Sequence, residues 1–241
     1  MMRLLALNPN TSAEVTEAFV AEGLRIAPPG VSVEGVTGGF GARIVTTEAE
    51  NLIAAHAALE LAARHAEGFD GVILAISFDT ALRALSELLP VPVTGLTEAA
   101  LAAAGDAPVG VVIFGASSLP LYQRLLDGYG YAPVAWEVIE FATRAEYLNA
   151  EARDDAVMAA VERLAEAGAG AAVILGAASV GMAARLAPRV AIPVSDGAAA
   201  VSLSVERVAK GAALPTRPTP IAETIGLSPA LTRLIAGDVP S

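Results

Sequence analysis

The sequence contains nearly the same apolar phrase twice, GVILAISFDTAL at residues 71–82 and AVILGAASVGMA at residues 172–183. Val72 of the first copy matches Val173 of the second at an offset of 101 residues, and the same offset carries the motif VPVTGL onto IPVSDG. A gapless offset over two motifs favours a duplication over chance. We therefore predict that the chain consists of two related halves.

Short apolar runs alternate with longer segments rich in Ala, Leu and Glu along both halves. The short runs predict strands and the longer segments predict helices. Strands that alternate with helices form parallel sheets that helices cover on both faces. The predicted fold class is therefore α/β, with two pseudo-twofold-related, doubly wound halves of four parallel strands each. The predicted strands are residues 3–7, 31–36, 71–76 and 91–95, then the apolar runs of VGVVIFGASS, PVAWEVIEF, AAVILGA and IPVSDG.

The repeat also predicts a domain organisation. We expect residues 1–105 plus 212–241 to form the first half, with the tail from Pro215 packed back across one half, and residues 106–211 to form the second. Ligands of parallel sheets bind beyond the carboxyl ends of the strands. Two related halves that face each other therefore predict a site in the cleft between them.

Composition narrows the partners and the compartment. The 26 acidic and 15 basic residues give a net charge of −11, which disfavours nucleic acid and anionic membrane surfaces. Residues 167–184 carry no charge, but a buried strand between glycine turns explains them better than a membrane span. The absence of Cys and of a secretory signal predicts a cytoplasmic protein. The high Ala content of the helices predicts a homo-oligomer.

Polar residues follow the predicted strands, where a parallel sheet presents its ligand site. Structural roles are open to the same residues, because hydroxyls and carboxylates cap helices and Asn beside Pro stabilises turns. The two roles are compatible, since a helix N-terminus also attracts anionic groups. The candidates are Asn8, Asn10, Thr11, Ser12, Ser77, Asp79 and Thr80 in the first half, and Ser117, Ser118, Ser179 and Asp196 in the second.

Other patterns point away from cofactor and metal chemistry. The motif GGFG at residues 38–41 is not a dinucleotide fingerprint and follows the second strand rather than the first. His56 and His65 fall within one helical pattern, away from any strand end. No Asp or His spacing indicates a metal site, and no GxSxG elbow supports a serine triad. We predict neither a cofactor nor a metal.

The motifs ALNPNTS, GARIVTTEAENLIAAHAALELA, VILAISFDTAL, VPVTGLTEAAL, VILGAASVGMA and IPVSDGAAAV together resemble the Asp/Glu/hydantoin racemase superfamily, and most closely its hydantoin and allantoin racemase branch. The resemblance extends from Leu5 to about Lys210. It implies a cofactor-independent enzyme with pseudo-twofold halves. Family members hold the substrate between two cysteines, one of which takes a proton from a carbon next to a carbonyl while the other returns one on the opposite face.

Serine stands where the resemblance implies cysteine. Ser77-Phe78-Asp79 matches the first cysteine motif with one residue missing, and the segment from Ser179 matches the second, Cys-Ala-Gly-Met-Ala, more closely. The gapless repeat pairs Ser77 with Ala178 instead. A Ser hydroxyl is a far weaker acid than a thiol, whose pKa is about 8.5, and needs an adjacent base.

Three explanations of these serines stay open. In the first, Cys-to-Ser replacements in the chain trap a ligand. In the second, the chain is a natural variant that catalyses another lyase or isomerase reaction, with Asp79 or Asp196 as the base. In the third, the protein binds its ligand without turnover. The leading hypothesis is a racemase-type isomerase that acts on a small carbonyl compound such as a 5-substituted hydantoin or an amino acid. Ser77 and Ser179 are then the acid/base pair, and Asn8, Asn10, Asp79, Thr80, Ser117, Ser118 and Asp196 bind the substrate. The rival is a two-lobed small-molecule binding protein without catalysis.

Overall fold

The computed structural model of the chain describes residues 1–143, 146, 149–211 and 223–237. The strands are β1 (Met2–Asn8), β2 (Val31–Thr37), β3 (Gly71–Leu74), β4 (Val93–Gly95), β5 (Val109–Phe114), β6 (Ala135–Ile139), β7 (Ala171–Ile174) and β8 (Val194–Asp196). The helices are α1 (Ala13–Ile26), α2 (Glu48–His65), α3 (Leu82–Leu88), α4 (Leu96–Ala104), α5 (Leu119–Gly128), α6 (Ala150–Glu166), α7 (Met182–Leu186), α8 (Ala199–Ala209) and α9 (Pro229–Ala236).

The strands form two four-stranded parallel sheets with the same connectivity. One sheet has the order β2-β1-β3-β4 and the other the order β6-β5-β7-β8. The residues of β3 and β7 are buried throughout, as expected for inner strands that are covered on both faces. The predicted α/β fold class, with two doubly wound four-stranded halves, is confirmed.

The chain divides into two compact units, Met1–Gly95 with Ala200–Ser241, and Leu96–Ala199. We call them unit 1 and unit 2. The core of unit 2 shows how each sheet is covered, because apolar side chains of β5 and β7 pack against α6 and α7. Its buried members include Val112, Ile174, Val157, Leu164 and Met182.

The units differ from the predicted halves in the assignment of two helices. Helix α4 packs against β7 and β8 of unit 2, where the Ser195 hydroxyl donates to the Ala100 carbonyl at 2.7 Å. Helix α8 packs on unit 1, where Arg207 Nη1 donates to the Val93 carbonyl at 2.9 Å. The units therefore divide at 95/96 and 199/200 rather than at the predicted 105/106 and 211/212.

The C-terminal segment is described only in part. Pro215 and the rest of residues 212–222 lie outside the described residues. Helix α9 packs against α2 in unit 1, and the Ser228 hydroxyl that precedes it donates to Glu60 Oε2 at 2.7 Å. None of the helices in the described ranges is long and apolar enough to cross a membrane.

The register of the two sheets corrects the predicted repeat. The Val72 amide donates to the Pro92 carbonyl in unit 1, and the Ala172 amide donates to the Pro193 carbonyl in unit 2, both at 2.9 Å. Successive amides of a strand point to opposite neighbours, so Val72 corresponds to Ala172 and not to Val173. The single offset of 101 is wrong for the third strands, which differ by 100, while Pro92 and Pro193 differ by 101.

A length difference between the copies explains this shift. One extra residue separates β7 from β8 compared with the segment between β3 and β4, since Ala172 to Pro193 is 21 positions and Val72 to Pro92 is 20. In unit 1 a single helix, α3, fills this segment, whereas in unit 2 the shorter α7 is followed by a 3₁₀ turn at Ala187–Arg189.

Candidate functional site

The turn after β1 is held by its own asparagines. Asn8 is fully buried, and its Nδ2 donates to the Ser12 carbonyl and to Thr16 Oγ1, both at 3.0 Å. Asn10 is also buried and accepts the Ser12 amide on Oδ1 at 2.8 Å. Asn10 Nδ2 has no hydrogen-bond partner within the described part of the chain. Asn8 therefore shapes the turn, while Asn10 keeps one donor group available.

The hydroxyls that precede α1 do not cap it. Ser12 occupies the N-cap position without a side-chain cap, and its hydroxyl donates to Glu14 Oε2 at 2.8 Å. Thr11 donates its amide to the Ala42 carbonyl at 3.1 Å. Ser12 is therefore the N-cap residue by position, as one of its two open roles had it, but its hydroxyl binds a neighbouring carboxylate instead of a helix amide.

The turn after β3 gathers three buried polar residues, Ser77, Asp79 and Thr80. Asp79 has a φ of 47°, in the left-handed region that residues with a side chain rarely adopt. Thr80 Oγ1 donates to Asn51 Oδ1 of α2 at 2.6 Å. The turn is thus tied to α2 by a side chain that the sequence did not single out.

The Asp79 carboxylate lies directly on the backbone of Gly95, the last residue of β4. A Cβ at Gly95 would stand only 2.6 Å from Asp79 Oδ2, and closer still to Oδ1 and Cγ. Real Cβ atoms do not approach other atoms so closely. The carboxylate therefore fits only because residue 95 is glycine.

The corresponding first turn of unit 2 follows β5. Gly115 has a φ of 80°, Ser117 is exposed, and Ser118 is buried at the start of α5 without capping it. Neither serine hydroxyl has a hydrogen-bond partner within the described ranges. Glu140 Oε1 accepts the Ala116 amide at 2.6 Å, so a carboxylate from the end of β6 already occupies one backbone donor of this turn.

Ser179 lies in the turn after β7 and is 1% exposed. Its Oγ donates to the Gly176 carbonyl at 2.6 Å, and its amide donates to the same oxygen at 2.9 Å. Gly176 has a φ of 136°, a conformation open to glycine. Among the residues that the structure describes, no carboxylate or histidine is hydrogen-bonded to the Ser179 hydroxyl.

Asp196, at the end of β8, joins the two last turns of unit 2. Its Oδ2 accepts the Ala183 amide and its Oδ1 accepts the Ala198 amide, both at 2.7 Å. The carboxylate thereby satisfies amide groups at the starts of α7 and of the segment before α8, as a capping residue does. Its capping role is confirmed by this geometry, and its predicted contact with substrate stays a prediction.

Each unit brings its predicted residues to one edge of its sheet. In unit 1 they follow β1 and β3, which are adjacent parallel strands. In unit 2 they follow β5, β7 and β8. His56 and His65 lie on exposed positions of α2. Sequence reasoning missed Asn51, which lies among other polar residues at the start of α2, and Glu140, whose place after an apolar strand could have indicated it.

The chemistry of these turns uses neutral amides, hydroxyls and carboxylates. No group of three His, Cys, Asp or Glu side chains that could hold a metal occurs in the described ranges. Carboxylates can accept protons, hydroxyls and amides can hold carbonyl oxygens, and the turns place both kinds together. These groups fit the class of isomerases that move a proton.

Comparison with known proteins agrees with this class. The sequence profile described as Asp/Glu/Hydantoin racemase matches residues 4–203. The chain belongs to this family, and the resemblance seen in its motifs is confirmed. No curated protein sequence matches the chain significantly.

Two solved allantoin racemases are similar over nearly their whole length. The enzyme from Klebsiella pneumoniae is 29% identical with a TM-score of 0.86, covering 97% of this chain and 99% of that one. The enzyme from Pseudomonas fluorescens is 28% identical with a TM-score of 0.86, covering 93% and 100%. A maleate cis-trans isomerase from Nocardia farcinica shares the fold at 17% identity, with a TM-score of 0.66 and 99% of both chains covered.

Proposed function

We propose that this protein moves a proton at a carbon next to a carbonyl group in a small compound such as a 5-substituted hydantoin. One observation carries the proposal: each unit holds a buried serine, Ser77 or Ser179, in the turn between its third strand and the following helix. The two similar allantoin racemases support the substrate class, since allantoin is itself a substituted hydantoin. An amino acid is the second substrate class within the proposal.

The remaining polar groups of the turns suit a substrate that develops negative charge on oxygen. Removal of the proton converts the carbonyl compound to an enolate, which fixed hydrogen-bond donors stabilise. Asn10 Nδ2 and the hydroxyls of Ser117 and Ser118 are donors with no partner among the described residues. The Thr80 hydroxyl already donates its hydrogen bond to Asn51, so its oxygen can only accept further hydrogen bonds. We assign the first three residues to the carbonyl oxygens, with Asn8, Asp79, Thr80 and Asp196 supporting the turns or binding the substrate.

Serine limits how fast such a site can work. A hydroxyl releases its proton far less readily than a thiol and depends on a neighbouring base. The Ser179 hydroxyl donates to a backbone carbonyl, which is not a base. This geometry favours the second candidate function, binding of the same small molecule without turnover. A cytoplasmic location and a homo-oligomeric state complete the proposal.

Deuterium exchange separates the two candidates. The protein is incubated in heavy water with the L and D forms of a 5-substituted hydantoin, and the proton at carbon 5 is followed by NMR. Exchange above the buffer rate supports proton transfer. Tight binding with exchange at the buffer rate contradicts it and favours the binding protein.

Cysteine substitution tests the site assignment. We expect S77C/S179C to racemise the hydantoin at least ~10-fold faster than the wild type, because a thiol with a pKa near ~8.5 exchanges protons at neutral pH. S204C is the matched control, since Ser204 is a buried serine of α8 outside these turns. No gain in folded S77C/S179C, or an equal gain in S204C, would remove both serines from the assignment.

A further inference from the structure

The corrected register changes which residues of the two units are equivalent. Asp79 donates its amide to the Ile76 carbonyl at 3.2 Å, and Ser179 donates its amide to the Gly176 carbonyl at 2.9 Å. In each bond the amide lies three residues after the carbonyl. The two bonds are 100 residues apart in the sequence, which is the offset that relates β3 to β7. Ser179 therefore corresponds to Asp79. Ser77 corresponds to Ala177, which has no functional group.

The helix starts support the same equivalence. Ala81 has a φ of 63° and is the N-cap of α3, and Gly181 has a φ of 85° and is the N-cap of α7. Each of these left-handed residues comes two positions after the residue in question, Asp79 or Ser179. The turns of the two units thus share their ends as well as their internal hydrogen bond.

The neighbouring strand shows a reciprocal exchange. Leu74 of β3 pairs with Gly95 in unit 1, and Ile174 of β7 pairs with Asp196 in unit 2, so Gly95 corresponds to Asp196. In unit 1 the turn supplies a carboxylate and the strand end is glycine. In unit 2 the turn supplies a hydroxyl and the strand end supplies the carboxylate.

Space explains the exchange. The Asp79 carboxylate fills the volume that a Cβ at Gly95 would need, so unit 1 cannot hold a side chain at both places. Asp79 is buried, and its left-handed φ is a conformation that Asp adopts more often than most residues and that the surrounding structure holds in place. Strained buried polar residues of this kind cluster at functional sites.

We propose that Asp79 is the proton acceptor of unit 1 in the wild-type chain, whereas residue 77 can take this role only when a thiol replaces the Ser77 hydroxyl. This inference rests on the proposed function. The bond between the substrate carbon and its proton breaks, the proton moves to the Asp79 carboxylate, and the electron pair moves into the enolate. Exchange of the carboxyl proton with solvent and its return to the carbon complete the cycle, so no other reactant is required. A single carboxylate takes the proton from one face of the substrate carbon, so exchange is faster for one enantiomer.

The variant D79N tests this role, because Asn keeps the shape of Asp and tolerates a left-handed φ. We expect the exchange rate in heavy water to fall at least ~100-fold, as general-base catalysis contributes about 10² to 10⁴. D106N, at an exposed aspartate, is the control.

A carboxylate placed at residue 95, the last residue of β4, gives a second test. G95D alone should lower the midpoint of thermal unfolding, because two side chains compete for one space, whereas D79S/G95D reproduces the residues of unit 2 and should recover that midpoint. D79S/G95D should also exchange faster than D79S.

The outcomes separate this inference from the proposed function. Wild-type exchange with D79N within threefold of it would overturn the role of Asp79 and leave proton transfer standing. Exchange at the buffer rate for both enantiomers would overturn both. If D79S/G95D unfolds as early as G95D, the equivalence of the two pairs is wrong.

Discussion

Among the glycines that the structure describes, Gly95 is the one at which a Cβ would meet its nearest neighbour most closely, and that neighbour is the Asp79 carboxylate. A carboxylate on a glycine backbone leaves no room for adjustment on the strand side, since β4 is paired with β3 through its last residue. The side chain at 79 is buried and the turn that carries it is left-handed at two positions, Asp79 and Ala81. Asp79 and Gly95 are therefore packed against each other as a pair.

This contact predicts a large effect of a single methyl group. G95A should lower the free energy of unfolding by about 1–3 kcal/mol, because overpacking of a filled interior forces the neighbour to shift. Urea unfolding monitored by circular dichroism measures the change.

The matched control is G39A, since a Cβ at Gly39 meets no atom within 4 Å. D79A in the G95A background should recover part of the lost stability. Equal stability of G95A and G39A would show that the carboxylate does not occupy this space.

At the scale of elements, the beginning of α2 is stabilised by a capping box. The Thr47 hydroxyl accepts the Glu50 amide, and Glu50 Oε2 accepts the amides of Thr46 and Thr47 at 2.8 and 3.0 Å. The hydrogen bond from the Thr46 amide is the main cause that lowers the pKa of Glu50 below its ordinary value of 4.5. The Glu50 carboxylate thus favours the folded state in its charged form.

The capping box predicts a pH dependence with a defined sign. Because the pKa of Glu50 is lower in the folded state, its contribution to stability is present above pH 4.5 and is lost as pH falls through the folded pKa. Thermal unfolding of wild type and E50Q from pH 7 to pH 3 should show a difference in midpoint that shrinks below pH 4.5. A difference that grows as pH falls would contradict this assignment.

The docking of α9 on α2 depends on one serine with two bonds. The Ser228 hydroxyl accepts the Leu231 amide at 3.1 Å as the N-cap and donates to Glu60 Oε2 at 2.7 Å. Burial raises the pKa of Glu60, but the Ser228 hydrogen bond and the charge of Arg64 outweigh it, so the pKa is lowered overall. The cap and the carboxylate bond fix the helix where the described C-terminal segment meets unit 1.

We expect S228A to loosen α9 without unfolding the sheets. Loss of the cap alone weakens a helix by about 1 kcal/mol, and loss of a hydrogen bond to a charged group adds to it. Amide hydrogen exchange of residues 229–236 should accelerate at least ~5-fold, since 1 kcal/mol corresponds to about that factor. S228T keeps the hydroxyl and should retain most of the protection, and equal acceleration in both variants would argue against the hydroxyl.

At the scale of the whole molecule, the fold could be predicted from the sequence and the pairing of the copies could not. Alternating apolar runs and helical segments indicate parallel sheets directly, and the polar strand ends mark the candidate site. The register is invisible in the sequence because Val72 and Val173 are alike, while a one-residue difference in length lies in the next helix. Hydrogen bonds between strands were needed to show that Ser179 corresponds to Asp79.

Local sequence patterns also could not predict which sheet each helix covers or which contacts form between distant elements. The sequences of α4 and α8 resemble those of other helices that follow a strand, and they do not indicate which sheet each helix covers. Asn51 of α2 accepts a hydrogen bond from Thr80, and nothing in the polar start of α2 marks it out from its neighbours. Such contacts depend on packing between segments far apart in the chain.

Association of the chain into a homo-oligomer remains a prediction. Several large apolar side chains of unit 1 are exposed, on α2 and the loop before it, namely Phe40, Ile44, Leu52 and Ile53. Exposed apolar side chains that cluster mark association surfaces. Multi-angle light scattering should give a mass of at least two chains, and a mass near that of one chain would refute the homo-oligomer.

We propose that Asp79, in the turn after β3, moves a proton of a small carbonyl compound. The most direct measurement is deuterium uptake at carbon 5 of each enantiomer of a 5-substituted hydantoin, with wild type, D79N and buffer alone in parallel. We expect uptake by the wild type well above buffer, faster for one enantiomer, and its loss in D79N. Uptake at the buffer rate for both enantiomers by a folded wild type would contradict it.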